Sequence, residues 1–182
     1  MNLLEEIQRV EREAERLFSE AQVEAALDRL AIEITGRIGK SNPIVLTVLN
    51  GGIIFAGKLL TRLRFPLEID SINASRYRGE TSGGEIHWLL EPRLSLQGRT
   101  VLLLDDVLDE GITLAAIAAW CQQQGAAQVL VAALIDKQIG RPRPCEADFV
   151  GLRAENRYLF GYGMDYKSYL RNAPGIFACK GL

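Results

Sequence analysis

Histidine is almost missing from this chain. His87 is the only one, and it sits in Glu85-Ile86-His87-Trp88-Leu89, an alternating run that reads as a strand surface. A serine-histidine-aspartate arrangement would have to use it, and no GxSxG segment accompanies it. Cysteine is scarce as well: Cys121, Cys145 and Cys179 are three, an odd number, and far apart. Without a CxxC pair there is no zinc ribbon and no disulfide framework, and three reduced thiols of no special chemistry are expected. Neither GxGxxG nor GxxxxGKS/T occurs, so the familiar dinucleotide and P-loop fingerprints are absent. No apolar run approaches the roughly 18 residues of a membrane span. Met1 to Glu20 is a charged helix pattern and not a leader peptide. No membrane partner and a cytoplasmic location are therefore expected. Charge of one sign is also lacking: 21 Lys and Arg against 23 Asp and Glu leave a net charge of −2, so no broad basic face invites nucleic acid.

What is present suits one folded domain. With 182 residues, 48% hydrophobic and 24% charged, the chain can bury a substantial core. Residues 2 to 18 carry Leu3, Leu4, Ile7, Val10, Ala14 and Leu17 at helical spacing. Ser19-Glu20-Ala21-Gln22 has the form of a capping box, and a second helix is expected to run from it to about Ile38. Ile44 to Leu49 is then a continuous apolar run, as in a strand buried on both faces. After Asn50-Gly51-Gly52, Ile53 to Leu63 returns to helical spacing. Pro66 to Asn73 and Glu85 to Leu90 read as strands, with a polar loop from Ser75 to Gly84 between them. Thr100 to Leu104 and Val129 to Ile135 read as buried strands, with a helix over Gly111 to Gln124. Buried strands alternating with helices predict an α/β fold with a parallel sheet. Past Arg141-Pro142-Arg143-Pro144 the rhythm breaks, and Asp148 onward predicts a small appended lobe.

Chemistry concentrates in Leu103-Leu104-Asp105-Asp106-Val107-Leu108-Asp109-Glu110-Gly111-Ile112-Thr113. A buried strand ends in two carboxylates, a third follows, and a glycine turn opens a helix. Parallel sheets place ligands at the carboxyl ends of their strands. A glycine turn at a helix start offers backbone N–H groups to a phosphate. Carboxylates repel phosphate, so they need another partner there. Sugar hydroxyls that donate to them are one answer, a hard cation such as Mg²⁺ is another. A plain surface turn whose acids cap the helix is the uneventful alternative.

That stretch resembles the phosphoribosyl-pyrophosphate signature of the type I phosphoribosyltransferases. Val48-Leu49-Asn50-Gly51-Gly52-Ile53-Ile54-Phe55-Ala56 resembles the pyrophosphate loop of the family's 6-oxopurine branch, and Leu134-Ile135-Asp136-Lys137 its purine-selecting lysine segment. Asp148-Phe149-Val150-Gly151 and Gly161-Tyr162-Gly163-Met164-Asp165-Tyr166 resemble its hood. The resemblance implies a type I phosphoribosyltransferase core over 41–140, a helical extension over 1–40 and a hood over 141–182, all in one domain. It implies transfer of the phosphoribosyl group from phosphoribosyl pyrophosphate to hypoxanthine or guanine, giving IMP or GMP and pyrophosphate in purine salvage. Mg²⁺ is the implied cofactor, held by Asp105 and Asp106, and a homo-oligomer, dimer or tetramer, the implied assembly.

Position by position, the resemblance implies that Asp105, Asp106, Asp109, Glu110, Gly111, Ile112 and Thr113 bind phosphoribosyl pyrophosphate and its 5′-phosphate. Asp109 is the implied general base. Asn50, Gly51 and Arg171 would contact pyrophosphate, with Arg76 and Tyr77 in the lid. Lys137 would donate to the purine 6-oxo group, which makes adenine a poor substrate. Phe149 would stack on the base, and Val150 and Asn156 would read its edge. Three residues depart from the pattern: Asn50 where many relatives carry Lys, Arg76 where the lid often has Ser, and Asn156 where many carry Asp near a second metal. The last predicts a preference for hypoxanthine over guanine and puts a second Mg²⁺ in question. A non-catalytic regulator sensing phosphoribosyl pyrophosphate and a xanthine-preferring relative are the competing readings.

Overall fold

The computed structural model describes residues 2–76 and 86–181, without the side chains of Arg76 and Ile86. Tyr77, the Arg76 side chain and most of the loop expected between Ser75 and Gly84 thus lie outside the described residues.

Helix α1 (Leu3–Glu13) starts at a capping box: Asn2 accepts from the Glu5 amide at 2.9 Å, and the Glu5 carboxylate accepts from the Asn2 amide at 2.9 Å. The helix is shorter than its apolar spacing predicts. Ala14 turns extended, and Glu15–Ser19 forms strand β1 instead. The reason is long-range: β1 pairs antiparallel with the last strand of the chain, Glu15 opposite Ala178 and Phe18 opposite Ile176. Helix α2 (Glu20–Ile38) begins where expected, its Ser19 and Gln22 forming a reciprocal cap. Its buried stripe, Val23, Leu27, Leu30, Ile34 and Ile38, recurs at three- and four-residue steps and lies against the sheet.

The main sheet contains β2 (Ile44–Val48), β3 (Glu68–Arg76), β4 (Ile86–Leu90), β5 (Thr100–Leu108), β6 (Gln128–Gln138) and β7 (Phe149–Glu155), in the order β4-β3-β2-β5-β6-β7. All neighbours are parallel except β3 and β4. Helices α2 and α3 (Gly52–Leu60) pack on one face and α4 (Ile112–Gln123) on the other. The β2 strand is therefore buried along its whole length, which accounts for its unbroken apolar run. His87 is exposed on β4, opposite Ser75.

The segment after Pro144 differs from expectation in one respect. Its first strand, β7, extends the main sheet beside β6. Only β8 (Leu159–Phe160) and β9 (Gly175–Ala178) form a separate small sheet, with β1, in the order β1-β9-β8. Ile7 of α1 joins Phe160, Tyr166, Ala173 and Cys179 in that lobe's own core, so the amino-terminal residues build the lobe. The three cysteines are free and buried. Among the described residues no helix is long and apolar enough to cross a membrane.

Candidate active site

The chain runs from β2 to β3 on one side of the sheet and then crosses to β5 on the other, so β2 and β5 flank a topological switch point. A cavity of about 720 Å³ opens there, at the carboxyl ends of β2, β5 and β6. Its walls come from Asn50 and Gly51 after β2, from the 105–114 stretch, from Lys137 and Arg141 at and beyond the end of β6, and from the small lobe.

Asp105 and Asp106 stand near the end of β5, still inside the strand. The Asp106 amide donates to the Asp105 carboxylate at 3.0 Å. Burial pushes the Asp105 carboxyl well above its usual range, and the charge of Asp106 pushes it further, against a lowering by Arg171. Burial raises Asp106 as well. Two adjoining carboxylates, Asp106 buried and Asp105 half-buried, ask for donors or a cation. Gly51 lies directly against Asp106: a Cβ there would lie 2.5 Å from the Asp106 carboxylate oxygens, so a larger residue would have to push that carboxylate aside. Among the described residues no three His, Cys, Asp or Glu side chains form a complete metal cage. The donor set still suits Mg²⁺, which commonly takes one or two carboxylates and completes its shell with substrate phosphates and water.

Beyond the acids, Gly111 caps α4 with φ of +73°, a conformation that favours glycine. No side chain caps this helix start. Its first amides have no intrahelical acceptor and, with Thr113, border the cavity, which makes an anion site. Lys137, at the end of β6, donates to Asp109 at 2.9 Å. Arg141 pairs with Glu110 at 2.6 Å. Arg171 reaches in from the small lobe, pairing with Asp165 at 2.7 Å and donating to the Gly163 carbonyl at 2.5 Å.

Most expected residues thus meet at one place: Asn50, Gly51, Asp105, Asp106, the loop from Asp109 to Thr113, Lys137, Asn156 and Arg171 all line the cavity. Phe149 and Val150 do not. Phe149 opens β7 opposite Ala132, which lies five residues before Lys137 along β6. That places it about 16 Å below the cavity end of the sheet. Its ring is buried in the core with the Arg37 guanidinium 5.5 Å from its centroid. The Val150 carbonyl accepts from Arg29 at 3.5 Å, on the same α2 side. Neither residue is placed to touch a ligand in the cavity. Among the described residues the aromatic that does line it is Tyr158, 44% exposed, in the loop after β7, followed by Leu159. Strand direction was the available signal: in a parallel sheet the carboxyl end of β7 faces the ligand, so an aromatic beyond the strand outranks one at its start. Met164 and Asp165 also line the wall, and Asp165 contributes a further carboxylate.

Comparison with known proteins places this geometry. Residues 13–167 match the phosphoribosyl transferase domain family. The chain is 31% identical to the hypoxanthine-guanine phosphoribosyltransferase of Bacillus subtilis over 90% of its own length and 92% of that protein's. It is 35% identical to the bifunctional protein TilS/HprT of Listeria innocua over 88% of its length, but spans only 25% of that longer relative. A crystal structure of a hypoxanthine phosphoribosyltransferase from Staphylococcus aureus superimposes with a TM-score of 0.86 at 28% identity, covering 91% of each chain. The chain belongs to the phosphoribosyl transferase family, in its hypoxanthine-guanine phosphoribosyltransferase branch.

Proposed function

We propose that the protein transfers the 5-phosphoribosyl group of phosphoribosyl pyrophosphate to hypoxanthine, and less well to guanine, releasing pyrophosphate. The observation that carries this is the pairing of Asp109 with Lys137 at the cavity wall, between the phosphate-binding helix start and the aromatic Tyr158. An imidazole nitrogen of the purine attacks the anomeric carbon, the bond from that carbon to pyrophosphate breaks, and Asp109 takes the proton from the base. The Lys137 ammonium has three donors, enough to keep Asp109 and also serve the 6-oxo group. The amides of 111–113 and the Thr113 hydroxyl hold the 5′-phosphate. Arg171, with a planar fork of donors, takes the leaving pyrophosphate. Asp105 and Asp106 hold the ribose hydroxyls, directly or through Mg²⁺, which supplies charge neutralisation to the leaving group. Tyr158 takes the stacking role for the base, and Asp165 can serve as a ligand for a second Mg²⁺.

The protein is further proposed to work as a homo-oligomer. Sedimentation or light scattering of the purified protein reads its assembly, with a dimer or tetramer expected and a monomer at assay concentration against this part of the proposal. Rates with hypoxanthine, guanine, xanthine and adenine, at saturating phosphoribosyl pyrophosphate and Mg²⁺, test the function. Turnover of a 6-oxopurine with adenine a poor substrate is expected. Binding of phosphoribosyl pyrophosphate without turnover of any base would favour the regulator instead.

A further inference from the structure

Arg143 is a nearly dry arginine, its side chain only 8% exposed. One terminal nitrogen donates to three main-chain carbonyls: Leu108 and Asp109 at 3.3 Å each, and Lys137 at 3.1 Å. The other donates to the Asp136 carboxylate, itself 8% exposed, and to Glu146 at 3.0 Å. Asp136 also accepts from the Gln138 side chain at 3.0 Å.

The ownership of those carbonyls gives the contact its meaning. The pairing between β5 and β6 ends at Leu108 opposite Asp136. The next residue on each strand is Asp109 on one side and Lys137 on the other. No ladder pair joins them, and the guanidinium spans the place where the ladder stops. A buried ion pair is weak support for stability when apolar side chains of similar volume could fill the space, so a gain in geometry better explains it. A planar fork with fixed donor directions suits that task.

We propose that Arg143 is a positioning residue: its guanidinium clasps the ends of β5 and β6 and sets the separation of Asp109 from Lys137, with Asp136 fixing the plane of the fork. This rests on the assignment of Asp109 and Lys137 to the purine. Arg143 touches neither reactive side-chain atom, so its loss leaves both groups in place but loosely aimed. Misplacement by about 1 Å can cost on the order of 10²-fold in rate.

Two variants test this. Arg143→Ala removes the clasp, and Arg143→Met combined with Asp136→Asn removes it without leaving a buried charge unpaired, which guards against misfolding. In either folded variant kcat with hypoxanthine should fall about 10- to 100-fold. The preference for hypoxanthine over adenine should narrow, while KM for phosphoribosyl pyrophosphate stays within about threefold, because the helix start and Arg171 are untouched. Guanidinium ion at millimolar concentration, but not urea, should restore part of the turnover of Arg143→Ala. A folded variant with wild-type kcat and base preference overturns the proposal, as does a loss confined to KM for phosphoribosyl pyrophosphate. Wild-type turnover is read in the same assay. An inactive wild type would sink the assignment of the site and this proposal together, whereas an active wild type beside unaffected variants sinks this proposal alone.

Discussion

The Lys137 ammonium donates to the Asp109 carboxylate at 2.9 Å, with Lys137 only 11% exposed and Asp109 47% exposed. The lysine is thus held from behind while the carboxylate faces the cavity. Asp109→Asn preserves the shape of this pair and removes the proton acceptor. Turnover should drop by about 10²-fold or more, with phosphoribosyl pyrophosphate binding nearly intact. Single-turnover rates and direct binding measurements separate the two, and a wild-type chemical rate would refute the general-base role.

Tyr158 and Phe149 offer a paired contrast. Removing an aromatic that stacks on a base typically costs about 1–3 kcal/mol. Tyr158→Ala should therefore raise KM for hypoxanthine by at least about 5-fold. Phe149→Leu should lower the melting temperature, because its ring is packed in the core, and leave KM for the base unchanged. A KM effect at Phe149 and none at Tyr158 would restore the stacking role to Phe149.

The two aromatics also show where sequence reading succeeds and fails. The stretch from Thr100 to Gln123 was legible because each local signal agrees: an unbroken apolar strand, carboxylates at its end, then glycine and a helix start. The core strands β2, β5 and β6 were legible for the same reason. Glu15–Ser19 was not, because its partner β9 lies some 160 residues away and Leu17 continues the helical spacing of α1. A motif match carries no direction along the strand, whereas the sheet does, so the resemblance points to Phe149 while the geometry favours Tyr158. Nothing local marked Arg143, whose role depends on three carbonyls from two distant strands.

Removal of Mg²⁺ should abolish turnover. The Asp105–Asp106 pair carries two adjoining carboxylates, one half-buried and one buried, with Arg171 as a cation that lowers both. A pyrophosphate leaving group entering beside them adds further negative charge, which a divalent cation offsets. Activity assayed in excess chelator, with metal content verified, checks this; undiminished turnover would exclude the metal-assisted route.

Away from the cavity, Glu24 joins α2 to α3 and to the small lobe. It accepts from Lys58, from Arg62 at 2.5 Å and from the Tyr162 hydroxyl at 2.8 Å. The Lys58 hydrogen bond, against an opposing effect of burial, holds its carboxyl down at about 2 from an ordinary 4.5. A folded-state value below the unfolded one stabilises the fold above the unfolded value, and this support is lost as pH falls from about 4.5 toward about 2. The pair is partly exposed and screened, so the stake is on the order of 1 kcal/mol. For a chain of this length that is about 2–4 °C in melting temperature. Glu24→Gln should melt lower than wild type at neutral pH by that amount, and the gap should close by about pH 2–3. A gap independent of pH would exclude the carboxylate charge as its source.

Asn156 carries the sharpest consequence for specificity. It lines the cavity beside Tyr158, in the turn after β7, where the expectation from relatives is an aspartate. Its neutral amide can still accept a hydrogen bond through the carbonyl oxygen. A charged acceptor forms hydrogen bonds roughly twice as strong. Guanine, with an exocyclic amine, has more to lose from the substitution than hypoxanthine, which has none. If about 1–2 kcal/mol is at stake, hypoxanthine should be favoured in kcat/KM by about 3- to 30-fold. Asn156→Asp should shrink that ratio. A second Mg²⁺ need not depend on this position, because Asp165 brings its own carboxylate to the same wall. The change should therefore act through guanine and leave the Mg²⁺ requirement for hypoxanthine as it was. If main-chain carbonyls alone read the amine, both proteins will show the same ratio. Measuring kcat/KM for both bases, across a Mg²⁺ titration, in wild type and Asn156→Asp decides the matter. Equal ratios, or a wild-type preference for guanine, would remove Asn156 from the specificity machinery and leave the role of Asp109 standing.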